Sequence, residues 1–145
     1  MKVEREIHID VEPDRVYDLV MDPSRLEEWV TIHEELKEAP TGQLRKGSEL
    51  VQRLKLAHRR FNVHWMVAEA DRPTKVVWEG QGPVHSKAKV AYEFAPNGQG
   101  TTFRYLNQFD LPLGPVGKVA GATVRRASLR ETDRSIERLK QLLEG

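Results

Sequence analysis

The chain has 145 residues, 39% of them hydrophobic and 31% charged, and carries a formal net charge of +1. That length suits one domain of ordinary size, and the balance is globular rather than disordered. Near-neutrality argues against nucleic acid held by counterion release, and the absence of cysteine excludes disulfides, thiol nucleophiles and thiolate metal sites. No apolar stretch reaches the length of a membrane span, and Met1 leads into charged residues rather than a signal peptide. The expected location is a reducing cytoplasm.

The opening segment, Val3 to Asp10, alternates apolar and polar residues as a half-buried strand does. Pro13 then suits the first position of a helix, and Val16, Tyr17, Leu19 and Val20 give that helix a short apolar face. Asp22-Pro23 predicts a second helix start, with Leu26 and Trp29 as its buried side. From about Glu35 to Leu111 the pattern has period two. Leu50, Gln52, Leu54 and Leu56 share one strand face, and a tight turn follows at Ala57-His58-Arg59. Phe61, Val63, Trp65 and Val67 alternate along the next strand, with Glu69 on the same parity. Asp71-Arg72-Pro73 breaks the ladder before Val76 and Trp78. After Gly80-Gln81-Gly82-Pro83, one face takes Val84, Ser86, Ala88, Val90, Tyr92 and Phe94, up to a hairpin signal at Asn97-Gly98. The last strand places Phe103, Tyr105, Asn107, Phe109 and Leu111 together.

A Pro/Gly-rich stretch, Leu111 to Gly117, leads into a helical pattern running nearly to Gly145. Leu129, Ile136, Leu139 and Leu143 form its apolar stripe. The first half is unusual, because Val116, Val119, Ala120, Ala122, Thr123, Val124 and Ala127 are small or branched and Gly117 and Gly121 interrupt them. Each glycine costs roughly 1 kcal/mol relative to alanine inside a helix. Small side chains leave room beneath a helix.

The order of one strand, two short helices, six strands and a long C-terminal helix resembles the START-like (SRPBCC) superfamily, which includes polyketide cyclase/dehydrase, lipid-transport and birch-pollen-allergen-like domains. The residues carrying the match are Ile7-His8-Ile9-Asp10, Pro13 to Val20, Asp22, Trp29, Asn97-Gly98 with Gly100-Thr101-Thr102, and Leu111-Pro112-Leu113-Gly114. It spans Lys2 to about Leu143. The resemblance implies one α+β domain over residues 1–145 with a helix-grip fold, a curved seven-stranded antiparallel sheet wrapped around the long helix. It also implies a cavity between sheet and helix for a lipid, polyketide or other apolar metabolite. The family shares no common catalytic residues, so none is carried over.

The expected cavity wall is Phe61, Val63, Trp65, Trp78, Tyr92, Phe103, Tyr105, Asn107 and Phe109, facing Val116, Ala120, Thr123 and Ala127 of the helix. Large rings opposite small side chains describe either a pocket or good interdigitation. Tyr92 and Tyr105 are the polar handles, and a buried Asn107 needs a partner. The five histidines show no metal spacing and read as surface residues, and no cofactor or metal is expected. Inward parity pairs Glu69 with Arg5, as an acid/base or a structural ion pair. Arg126, Arg130 and Arg134 line one helix face, a solvated face or a transient contact for an acidic membrane surface. Three readings stand: a carrier for a small hydrophobic molecule, a cyclase or dehydratase using the same cavity, and a partner-binding module. The chain is expected as a monomer or homodimer.

Overall fold

A computed structural model describes the backbone of residues 1–110 and 117–145 and the side chains of residues 1–110 and 121–145. The chain forms β1 (Lys2–Ile9), α1 (Pro13–Val20), a 3₁₀ turn (Pro23–Arg25), α2 (Leu26–Trp29), β2 (His33–Glu38), β3 (Glu49–Leu56), β4 (Arg59–Asp71), β5 (Lys75–Gln81), a second 3₁₀ turn (Pro83–His85), β6 (Lys87–Asn97), β7 (Gly100–Phe109) and α3 (Gly117–Glu144). All seven strands join one antiparallel sheet in the order β1-β7-β6-β5-β4-β3-β2. This is the helix-grip arrangement that the element order implied.

Local chemistry explains the short helices. Pro13 opens α1, where a missing N–H costs nothing, and its apolar face is buried in full. Asp22 Oδ1 accepts from Ser24 N–H at 3.1 Å and caps the turn that feeds α2. The β3–β4 hairpin turns on Ala57 and His58, both in the left-handed region at φ 50° and 65°, and Arg59 already belongs to β4. The β6–β7 hairpin pairs Asn97 with Gly100, so its centre is Gly98-Gln99 rather than Asn97-Gly98. Gly98 at φ 63° supplies the conformation this two-residue turn needs at its first central position.

Helix α3 runs in the same direction as β1. Arg125 reaches the Lys2 carbonyl, Asp133 meets Arg5, Lys140 reaches the His8 carbonyl, and Glu144 accepts from Asp10 N–H. From Arg125 to Glu144 a helix rises roughly 28 Å, and from Lys2 to Asp10 a strand rises roughly 27 Å, so the contacts stay in step. On its other flank, Thr31 N–H donates to Ser135 Oγ at 3.0 Å and the Thr31 hydroxyl donates to the Glu131 carbonyl at 3.1 Å. The helix is held between an edge strand and the end of α2.

Parity fails in two places. A register shift between Val67 and Glu69 turns Glu69 outward, where it pairs loosely with Lys75 at 3.9 Å while Ala70 packs inward. Arg5 pairs instead with Asp133 at 2.7 Å, so the expected Glu69–Arg5 pair does not form. Pro83–His85 form a 3₁₀ turn before β6, leaving Val84 80% exposed rather than on the inner face. The expected positions of Leu111 and Val116 lie outside the described residues, as do the side chains of Val119 and Ala120.

Candidate functional site

The inner face of the sheet is organised in transverse rows set by strand register. One row runs Leu50, Trp65, Gly80, Ala88, Phe109. The next runs Val67, Trp78, Val90, Asn107, Val3, and the third runs Ala70, Val76, Tyr92, Tyr105, Arg5. A fourth holds Phe94, Phe103 and Ile7. The strand residues expected in the wall therefore do share one face.

Gly80 explains the first row. A Cβ there would lie 2.7 Å from the Trp65 ring and 2.9 Å from Val63, so the indole lies against bare backbone. From Trp65 an aromatic chain crosses the face. Trp65 meets Trp78 edge-on at 5.9 Å, and Trp78 meets Tyr92 at 6.1 Å. Tyr92 stacks on Phe103 at 5.6 Å and tilts against Tyr105 at 5.5 Å. Trp29 of α2 closes on Tyr92 from the other side at 6.0 Å. Such ring pairs contribute about 0.5–1.5 kcal/mol each beyond their burial.

Burial differs along this face. Val63, Trp65, Trp78, Tyr92 and Phe103 are buried, whereas Phe61, Tyr105, Asn107 and Phe109 are half-buried. On α3, Ala127 is buried and Thr123 is exposed. Surface thus remains accessible on Phe61 of β4 and on Tyr105, Asn107 and Phe109 of β7, the strand beside the edge strand β1.

The polar groups here are neutral. Asn107 Nδ2 donates to the Tyr105 hydroxyl at 3.1 Å, and Thr132 of α3 also bonds that hydroxyl. Burial pushes the Tyr105 phenol up, only partly offset by those bonds, and burial beside Tyr105 pushes Tyr92 well above the usual tyrosine range. Both stay protonated at neutral pH. Trp29 Nε1, Trp78 Nε1 and Asn107 Oδ1 are buried without a hydrogen-bond partner among the described residues. An unsatisfied buried polar atom costs about 1–3 kcal/mol.

Several members of the site were not legible as such. Trp29 read as the buried side of a short helix, and it is buried against Tyr92 of the inner face. Gln52 was placed on the inner parity without a role. It is 4% exposed and its Oε1 accepts from Trp65 Nε1–H at 3.0 Å, while its Nε2 lies 2.9 Å from His33 Nδ1. His33 is half-buried rather than a surface histidine. Desolvation holds its pKa below the usual histidine value, partly opposed by the Glu27 charge. No cluster of three or more metal-ligating side chains occurs among the described residues.

The opposite face of the sheet has an open hollow of about 850 Å³. Its rim carries exposed charges of both signs, including Glu49, Glu79, Lys87 and Lys89, and of the inner-face rows it reaches Gly80, Ala88 and Phe109 of the first. No described helix is long and apolar enough to cross a membrane.

Comparison with known proteins agrees with this layout. The chain is 27% identical over 125 residues to the uncharacterized protein Rv1546 of Mycobacterium tuberculosis, covering 85% of this chain and 87% of the relative. It is 24% identical over 133 residues to Toxin Rv0910 of the same organism, covering 90% and 92%. TTHA0849 of Thermus thermophilus shares the fold with a TM-score of 0.80 at 16% identity, covering 97% of this chain and 95% of the other. The KanY protein (ms6282) superposes with a TM-score of 0.76 at 18% identity, covering 100% and 98%. The sequence profile described as polyketide cyclase / dehydrase and lipid transport matches residues 1–144, and the chain belongs to that family.

Proposed function

We propose that the protein binds and carries a small, largely apolar molecule between the aromatic face of the sheet and the first half of α3. The observation carrying this reading is the contrast at Tyr105. Its phenol is desolvated enough to be pushed up, yet the residue is half-buried and keeps accessible surface. A solidly filled core would leave no such surface. At about 25 cal/mol per Å² of apolar area, a guest hiding about 500 Å² gains about 12 kcal/mol, which leaves micromolar affinity after an association cost of about 4 kcal/mol. Trp65, Trp78, Tyr92 and Phe103 supply the apolar wall, and Tyr105 and Asn107 orient a carbonyl or hydroxyl.

A second reading, a cyclase or dehydratase, draws on the same pair of tyrosines. A phenol kept protonated by burial polarises a substrate carbonyl. The family description covers both activities, and the buried wall offers no carboxylate or histidine to take a proton beside Tyr105 among the described residues. The carrier reading is therefore preferred.

Native mass spectrometry of gently purified protein, followed by solvent extraction, is the direct test. A co-purifying small molecule is expected, with its affinity reduced in Tyr105→Ala and Gly121→Leu while both variants stay folded by circular dichroism. Unchanged affinity in both variants would remove the pocket described here.

A further inference from the structure

The four atoms linking His33, Gln52 and Trp65 have only one workable arrangement of protons. An indole Nε1–H can only donate, so the group of Gln52 facing Trp65 at 3.0 Å must be the amide oxygen. The amide NH₂ then faces His33 Nδ1 at 2.9 Å, and Nδ1 must accept. The imidazole proton therefore sits on Nε2. Protonating His33 puts a second donor on Nδ1, opposite the NH₂ group. Turning the amide over moves the conflict to Trp65, whose N–H would then face NH₂. Either way one bond of the chain is lost, and Gln52, at 4% exposure, has little water to replace it.

We propose that His33, acting through Gln52, positions the Trp65 indole in the cavity wall, and that only its neutral Nε2–H form holds the wall closed, so that acid loosens ligand. The ligand half of this statement rests on the carrier reading above; the relay itself does not. Three features of the fold give it reach. Trp65 lies against Gly80, where no side chain backs it from that position, so the Gln52 bond is the polar tether on the ring. Trp65 leads through Trp78 to Tyr92. His33 begins β2 just after Trp29 and Thr31, and Thr31 is tied to α3 through Ser135 and Glu131.

The charged groups around His33 come from each element packed on it. Glu27 of α2 acts on it and favours its charged form. Glu34, next along β2, is held by Arg60 of β4 at 2.6 Å, and Glu35 lies between Lys37 and Arg53 of β3. Glu131 of α3 is occupied by Arg134 at 3.0 Å and by Arg130 at 3.6 Å. Among the described residues, Glu27 is the acid that opposes desolvation, and desolvation is the larger effect. The sign follows. The folded state holds His33 below its unfolded value, about 6.5, so the unfolded chain binds more protons in that window. The relay's contribution is complete above about pH 6.5 and is lost as pH falls through the folded value.

The test uses the full ¹⁵N-labelled chain with Nile red, a neutral apolar probe, between about pH 7.5 and about pH 5. The Trp65 indole resonance, assigned with Trp65→Phe, is expected to move with the same midpoint as the His33 ring. Nile red affinity is expected to fall roughly three- to tenfold, the equivalent of one lost hydrogen bond. His33→Gln offers a non-titrating amide oxygen to the Gln52 NH₂, so it should keep neutral-pH affinity and lose the acid dependence. A Trp65 resonance that ignores the His33 titration overturns the relay, as does an acid loss that persists in His33→Gln. Failure of Nile red to bind at any pH counts against the carrier reading instead, and the spectral titration still judges the relay.

Discussion

The two ends of the inner face are built from similar residues and behave differently. At one end Phe94 and Phe103 are fully buried, with Tyr17 of α1 edge-on to Phe94 at 5.3 Å and Val16, Val20 and Met21 closing over them. At the other end Tyr105, Asn107 and Phe109 lie on the same strand and parity, yet remain half-buried. The difference is what covers them. The short helices α1 and α2 bring Tyr17, Leu26 and Trp29, whose side chains fill space, while the described first half of α3 brings Gly121 and Ala127. One sheet thus carries a solid core and a candidate chamber, and cover residues, not strand residues, separate them.

That contrast can be broken by mutation. Phe103→Ala should give the largest loss of stability, about 3–5 kcal/mol by denaturant unfolding, because the closed end cannot relax into the void. Tyr105→Phe should cost only about 1 kcal/mol, the value of its bonds to Asn107 and Thr132. Equal costs at the two ends would mean that both are packed alike. Gly80→Ala sharpens the picture at the first row. A Cβ 2.7 Å from the rigid Trp65 ring must displace it, at about 1–3 kcal/mol, with a matching fall in Nile red affinity. The smallest effect belongs to the outside. Arg72 spans Asp18 at 2.9 Å and Asp14 at 3.8 Å, but these groups are about half exposed. Arg72→Ala should leave the midpoint of the same unfolding assay nearly unmoved and ligand binding unchanged.

Much of the fold was open to reading because its signals are local. Alternation along β4, β6 and β7 placed Val63, Trp65, Tyr92 and Phe103 on one face, and the apolar stripe of α3 predicted the buried Ile136 and Leu139. The readings that failed depended on geometry that local pattern does not encode. Glu69 changes face at a bulge that costs one residue of register, and Val84 leaves the face because the strand starts three residues later. His33 and Gln52, nineteen positions apart, carry no shared motif; a buried amide on an inward parity was the one hint that it needed partners.

Sequence alone determined the order of elements, the inward parity of most strands and the family, since period, caps and turn residues act over a few positions. Tertiary structure alone decided that Trp29 closes on Tyr92, that Gln52 joins His33 to Trp65, and that Arg5 meets Asp133 rather than Glu69. Those contacts bring together segments apart in the chain: pairing of β2, β3 and β4 brings His33, Gln52 and Trp65 into reach, and the packing of α2 and α3 against the sheet brings Trp29 to Tyr92 and Asp133 to Arg5.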